Sequence, residues 1–277
     1  MKKITCLASV VLMTVILFSG CKKKEETPAP AAETNVVQVQ NSLVVEPTAT
    51  WCGPCGEYGK PATDKAITGN SKVVAIYAHL KAPASDFPSQ TGQDLAVIFG
   101  AANATGTSYS IPKIAVGNNV TGAFTDINYT ANILTGWINA TTAQTSKANT
   151  KLDASISGNT LNVKANTKFF ENGNSTSTYK IALILTEDNI SNRQNYSSTG
   201  YKTIIHNHVS RATISNATGG DDLLSSGVPT SGQLITKDYS VALDPTWKKA
   251  DLTVIAIIWK YDGNVMTFVN VDKLELN

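Results

Sequence analysis

The sequence predicts an α/β domain followed by an all-β domain built as a sandwich, and three observations predict it. Trp51-Cys52-Gly53-Pro54-Cys55 stands behind a strand-like run, Leu43 to Glu46, and opens a helical stretch. Lys72 to His79 is a nearly continuous apolar run of strand length, as a buried central strand requires. Beyond Lys151 apolar and polar residues alternate between turn dipeptides.

The first 20 residues read as a secretory signal. Lys2 and Lys3 precede an apolar run from Ile4 to Phe18, and Ser19-Gly20 places small residues before Cys21. The run is short for a membrane span of about 20 residues. Cleavage before Cys21 resembles bacterial lipoprotein processing, which implies lipid on Cys21 and attachment to a membrane. Cys6 then leaves with the signal, and Cys52 and Cys55 are the thiols available to each other. Residues 21–35, with Lys22-Lys23-Lys24-Glu25-Glu26 and then Pro28 and Pro30, have nothing to bury and read as a flexible tether. The lysine–glutamate run is similar to surface-export signals of Bacteroidota lipoproteins, so both the periplasmic face and the cell surface stay open.

The α/β domain spans 36–145. After the two strands already named, Lys81 to Gln90 reads as an inserted loop at the edge of the site, and Gln93 to Phe99 as a short helix. Ser110-Ile111-Pro112-Lys113-Ile114-Ala115-Val116 reads as a proline opening a strand, where its missing N–H is tolerated, and Gly117-Asn118-Asn119 turns that strand back. Asp126 caps a helix with Ile127, Ala131, Leu134 and Ile138 on one face.

Two thiols one helical turn apart at a helix N-terminus form the layout of a thiol–disulfide exchange site. Only a thiolate attacks, and the unpaired N–H groups of a helix start favour it. Cys52 is therefore the nucleophile and Cys55 the resolving thiol. Glu46 ends the first strand. It is either a buried acid under the helix that shuttles the proton of Cys55 or a solvated strand end.

Strand, Trp-Cys-Gly-Pro-Cys, helix, strand, helix and Ile-Pro before a hairpin resemble the thioredoxin superfamily. The resemblance implies a thioredoxin-like fold in which Cys52 attacks, Cys55 is buried, Glu46 is the buried acid and Pro112 is a cis proline facing the dithiol. It also implies that Trp51, Gly53, Pro54 and Ile111 contact the substrate. Two departures stand out. Pro47 and Thr48 replace the aromatic pair usual after the acid, and Pro61 sits one place late in a helix weakened by Gly56 and Gly59.

Residues 152–277 read as a β-sandwich, immunoglobulin-like in general style. Leu152 to Ala165 form a hairpin across Gly158-Asn159, and Tyr179–Thr186, Gln233–Leu243, Leu252–Lys260 and Val265–Leu276 supply further strands, the last two joined at Asp262-Gly263. In Ile205-His206-Asn207-His208-Val209-Ser210-Arg211, an extended chain would turn His206 and His208 to one face as two metal ligands. With no carboxylate or cysteine partner nearby, the reading taken is a structural segment whose histidines bond backbone. The lipoprotein signal, WCGPC and His-Asn-His-Val-x-Arg together resemble the Omp-twenty-eight-related outer membrane protein family of Bacteroidota, which implies an outer-membrane location.

The chain carries 23 basic and 21 acidic side chains, balanced once Lys2 and Lys3 leave with the signal, so nothing recruits nucleic acid. The leading reading is a membrane-anchored oxidoreductase acting through Cys52/Cys55 on disulfides of exported proteins, recharged by an unidentified electron donor and needing no cofactor. The alternative is a surface-exposed binding or adhesion lipoprotein in which the pair is a structural or vestigial disulfide. A third joins Cys52, Cys55 and two of His79, His206 and His208 as a zinc site.

Overall fold

Period-two alternation builds the first layers. In β1 (Ser42–Thr48) Leu43 and Val45 face one side and Val44 the other. Leu43 and Val45 pack with Val74 and Ile76 of β2 (Val73–His79) and with Leu95 of α2 (Gln90–Ile98). Val44 packs with Ile114 and Val116 of β3 (Lys113–Val116) and with Ala131, Leu134 and Ile138 of α3 (Ile127–Thr142). Both faces are covered, which is why these strands read as apolar runs.

The computed structural model describes residues 35–81 and 86–276. The expected signal, Cys21 with its expected lipid, the expected tether up to residue 34 and part of the expected inserted loop lie outside the described residues. β1 and β2 are parallel, from Ser42↔Val73 to Thr48↔His79. Their connection runs through a wide π turn, Cys55–Gly59, into α1 (Lys60–Ile67). Pro61 explains the wide turn. It has no N–H to donate, and the Lys60 N–H reaches back instead to the Cys55 carbonyl. β3 runs antiparallel to β1 and returns as β4 (Asn119–Gly122). The Asp126 carboxylate accepts from the Tyr129 N–H at 3.0 Å, the cap the sequence predicts. α2 begins three residues early because Ser89 caps it, accepting from the Gly92 N–H at 2.8 Å.

In the second half, β5 (Ala148–Ser157) and β6 (Thr160–Phe169) form the expected hairpin, and β12 (Leu234–Ala242) flanks β6. Leu161, Val163 and Ala165 of β6 pack against Ile181, Leu183 and Leu185 of β7 (Thr178–Glu187) and Val254, Ala256 and Ile258 of β13 (Leu252–Asp262). β14 (Val265–Glu275) pairs with β13.

The larger layer does not stop at this half. β10 (Val209–Thr213) pairs with β7 at Val209↔Glu187 and with β2 at Val209↔Tyr77, so one sheet runs β14-β13-β7-β10-β2-β1-β3-β4, with β11 (Asp221–Asp222) paired to β7. Ala182, Ile184, Ile255, Ile257 and Trp259, on the opposite face of β7 and β13, share a core with Leu43, Val45, Val74 and Ile76. Two covered faces make Ile181 to Leu185 continuously apolar. β5 starts at Ala148, ahead of the boundary expected at residue 152, since Ala148, Asn149 and Thr150 are buried. A last pair of strands, β8 (Ile190–Tyr196) and β9 (Gly200–His206), forms its own two-stranded sheet.

Candidate redox site

The end of β1 leads through Ala49 and Thr50 into the cysteine loop. The Cys52 N–H bonds to the Ala49 carbonyl at 3.1 Å, which turns the chain into the helix. Cys52 and Cys55 are joined as a disulfide, and the Cys55 N–H donates to the Cys52 sulfur at 3.2 Å. That donor sits where a Cys52 thiolate would form. Cys55 is fully buried and Cys52 is 4% exposed, so the sulfur expected to attack is covered in this state. Ala49, Trp51 and Ile111 pack around the pair, whereas Pro54 is exposed.

Glu46 is fully buried, which removes the solvated strand end as a reading. Among the described residues neither of its carboxylate oxygens has a hydrogen-bond partner. Burial pushes its pKa up to about 8; the Thr63 hydroxyl, near but outside hydrogen-bonding geometry, pulls down, Asp64 adds to the rise and Lys60 opposes it. Gly59 explains how an acid fits there. A Cβ on Gly59 would stand 2.7 Å from Glu46 Oε1 and 2.8 Å from Pro112 Cβ, so the acid and the proline meet the helix at one bare position. The Ile111–Pro112 bond is cis.

Sequence reasoning missed the cover. The β8–β9 hairpin lies over the cysteine loop: Gln194 Nε2 donates to the carbonyls of Ala49 and Cys52 at 3.3 and 3.1 Å. The Asn195 N–H bonds to the Thr50 carbonyl at 2.7 Å and its side chain to the Trp51 carbonyl at 3.0 Å. Gly53 lies against Ser197, and a Cβ on Gly56 would run into the Asn195 carbonyl. The hairpin is itself held by Arg193, which donates to both oxygens of Asp86 at 2.8 and 3.1 Å, and by Ser198, which donates to Glu57. Tyr196-Ser-Ser-Thr-Gly200 was the available signal, a turn between two polar alternating runs.

The histidines do not share a face. Asn207 interrupts the strands and His208 has φ 58°, so the extended chain that would align His206 with His208 is broken. His206 is buried edge-on to His79, centroids 5.7 Å apart, and Phe87 packs against both. Burial drives both pKa values down, His79 to about 3 and His206 to about 4. His206 Nε2 lies 3.3 Å from the Arg193 carbonyl, in keeping with a histidine bonding backbone. His208 instead stacks on Tyr77 and pairs through Nδ1 with Asp188 at 3.2 Å. Among the described residues no three His, Cys, Asp or Glu side chains gather as a metal site, and the zinc reading loses its sulfur ligands to the disulfide.

Residues 110–277 match the family model described as outer membrane protein Omp28. The chain belongs to the Omp28 family. The matched span covers Ile111-Pro112 and the His206–Arg211 segment and begins after the cysteines. Among solved structures this Omp28 chain is similar to HBP35 of Porphyromonas gingivalis, with TM-score 0.65, 18% identity, and coverage of 87% of this chain and 77% of that one. It is also similar to an Agrobacterium tumefaciens protein solved by structural genomics, with TM-score 0.51, 11% identity, and coverage of 87% and 97%. A domain of the outer membrane lipoprotein Omp28 from P. gingivalis aligns over 48% of this chain and 89% of its own, at 16% identity and TM-score 0.32. No curated protein matches.

Proposed function

We propose that this Omp28-family chain is a lipid-anchored thiol–disulfide oxidoreductase of the outer membrane, with a thioredoxin-like N-terminal half and Cys52 as its attacking sulfur. The observation that carries it is Glu46. A carboxyl with no hydrogen-bond partner, sealed beneath the cysteine helix, costs folding free energy, and a disulfide that only staples the loop needs no such acid. The parallel β1–β2 pair, the β3–β4 hairpin and α3 support the thioredoxin-like arrangement.

In the reduced enzyme the Cys52 thiolate attacks a substrate disulfide, forming a mixed disulfide and expelling one substrate thiolate. Cys55 passes its proton to Glu46, and its thiolate attacks the Cys52 sulfur, closing the bond seen here and expelling the second substrate thiolate. Two electrons reach the substrate, whose thiolates take protons from water. A separate dithiol donor reopens Cys52–Cys55. Exported proteins are the substrates and lipid on Cys21 supplies the anchor.

The test is insulin-disulfide reduction by the purified protein in the presence of dithiothreitol. The wild type is expected to accelerate it and Cys52→Ser to abolish the acceleration; a wild type without effect overturns the reading. The 4% exposure of Cys52 under the hairpin favours a second reading, a surface binding lipoprotein with a closed disulfide. In that case a Cys52→Ser, Cys55→Ser protein keeps its ligand.

A further inference from the structure

Glu46 has charged neighbours on the face of the sheet it occupies. In the parallel β1–β2 register it stands beside Tyr77, and paired residues of adjacent strands project to the same face of the sheet. The Tyr77 hydroxyl donates to Asp64 Oδ1 at 2.5 Å. Lys60 Nζ reaches the other Asp64 oxygen at 2.5 Å and lies 5.3 Å from the centre of the Tyr77 ring. Burial falls steadily along this line: Glu46 is 0% exposed, Tyr77 3%, and the Asp64 side chain 44%. Two opposite charges are thus held close to a buried acid by one tyrosine.

The tyrosine is placed by the other half of the chain. The His208 ring stacks on it, centroids 6.2 Å apart and planes 11° from parallel, and the His208 carbonyl accepts the Tyr77 N–H at 2.8 Å. Asp188 fixes His208 by accepting from its backbone N–H at 2.5 Å and by pairing with its ring. Arg211, at the end of the same segment, is held by Glu187 at 2.7 Å. The His-Asn-His-Val-x-Arg segment therefore joins the C-terminal half to the ring beside the buried acid.

We propose that Lys60, Asp64 and Tyr77 form a positioning group that sets when Glu46 holds its proton, and that His208 sets the geometry of that group from the C-terminal half. The group acts on the proton transfer between Cys55 and Glu46, so its purpose rests on the oxidoreductase reading, although its measurement does not. Lys60 and Asp64 are the charged groups facing Glu46 from α1 and Tyr77 is the titratable group from β2, while Pro112 brings no charge from the β3 side. When the donor opens the disulfide, protonated Glu46 gives its proton to the departing Cys55 sulfur. The carboxylate regains a proton from Cys55 when the disulfide closes again.

The test is the titration of Glu46 by carbon-13 carboxyl NMR on the oxidised full-length protein, which needs no turnover. Asp64→Asn is expected to move the titration down and Lys60→Gln to move it up, each by about half a unit or more, with unfolding midpoints unchanged. In Tyr77→Phe or His208→Ala backgrounds the Asp64→Asn shift is expected to fall below about half its size, since a carboxylate no longer held loses its coupling. Shifts in the same direction, no shifts, or an undiminished shift in both backgrounds would overturn the proposal. Opposed shifts in a protein that fails to reduce insulin retain the positioning group and remove the oxidoreductase reading.

Discussion

The Gln194 side chain donates into the cysteine loop of the opposite half of the chain, its Nε2 lying 3.1 Å from the Cys52 carbonyl oxygen. Gln194 is 2% exposed, so this bond is made out of water; the Cys52 carbonyl keeps the Gly56 N–H at 3.3 Å when Gln194 is lost, and what goes is the hairpin's own tie to the loop.

Gln194→Ala is accordingly expected to loosen the β8–β9 hairpin and expose Cys52. A loss of about 1–3 kcal/mol in local opening corresponds to roughly a 5- to 150-fold faster opening of Cys52–Cys55 by a small phosphine. Stopped reactions analysed by mass would read the rate. An unchanged rate, with global unfolding also unchanged, means that the hairpin does not control access.

Glu46→Gln separates stability from chemistry. A carboxyl whose folded pKa is raised from 4.5 to about 8 is protonated in both states below pH 4.5, then costs stability as pH rises through the interval, because only the unfolded chain ionises. At pH 7 the cost is about 3 kcal/mol, so the glutamine protein should be more stable by that order at pH 7 and equal to the wild type near pH 4. Urea titrations at the two pH values check this. Catalysed insulin reduction should fall by about tenfold or more in the same variant, since the general base is gone. A stable variant with full reductase activity removes Glu46 from the mechanism.

The buried histidines give a slope of the opposite sign. His79 and His206 titrate at about 3 and 4 when folded against an ordinary 6.5, so the unfolded chain takes up protons first and stability is lost as pH falls below 6.5. Each contributes about 1.4 kcal/mol per pH unit across that window. Glu46 offsets part of this above pH 4.5, and the effect is cleanest in the Glu46→Gln background. There, His79→Phe should halve the slope between pH 6 and pH 5, measured by urea unfolding. An unaltered slope would show that His79 is not desolvated in solution.

Chemistry written in adjacent residues was legible in the chain. Cys52 and Cys55 lie one turn apart, a geometry that short-range backbone structure nearly guarantees. Leu43 to Glu46 and Lys72 to His79 became strands close to their expected bounds, and the Leu152–Ala165 hairpin formed about its expected turn but runs on to Ala148 and Phe169, because apolar period and turn residues are local properties. Asp126 capped its helix for the same reason.

What lay across long separations was decided by tertiary structure. Alternation shows that a strand has a buried face but not which strand lies beside it, so the insertion of β10 between β7 and β2 had no local signature. Glu46 was equally consistent with water or burial until α1 and Pro112 closed over it, since a carboxyl's state depends on the groups that remove its solvent. The cover on Cys52 comes from Gln194 and Asn195, some 140 residues along the chain. Local sequence set the sulfurs, strands and caps; the packing of distant segments set which charges are dry and which sulfur water reaches, because desolvation depends on all neighbours in space.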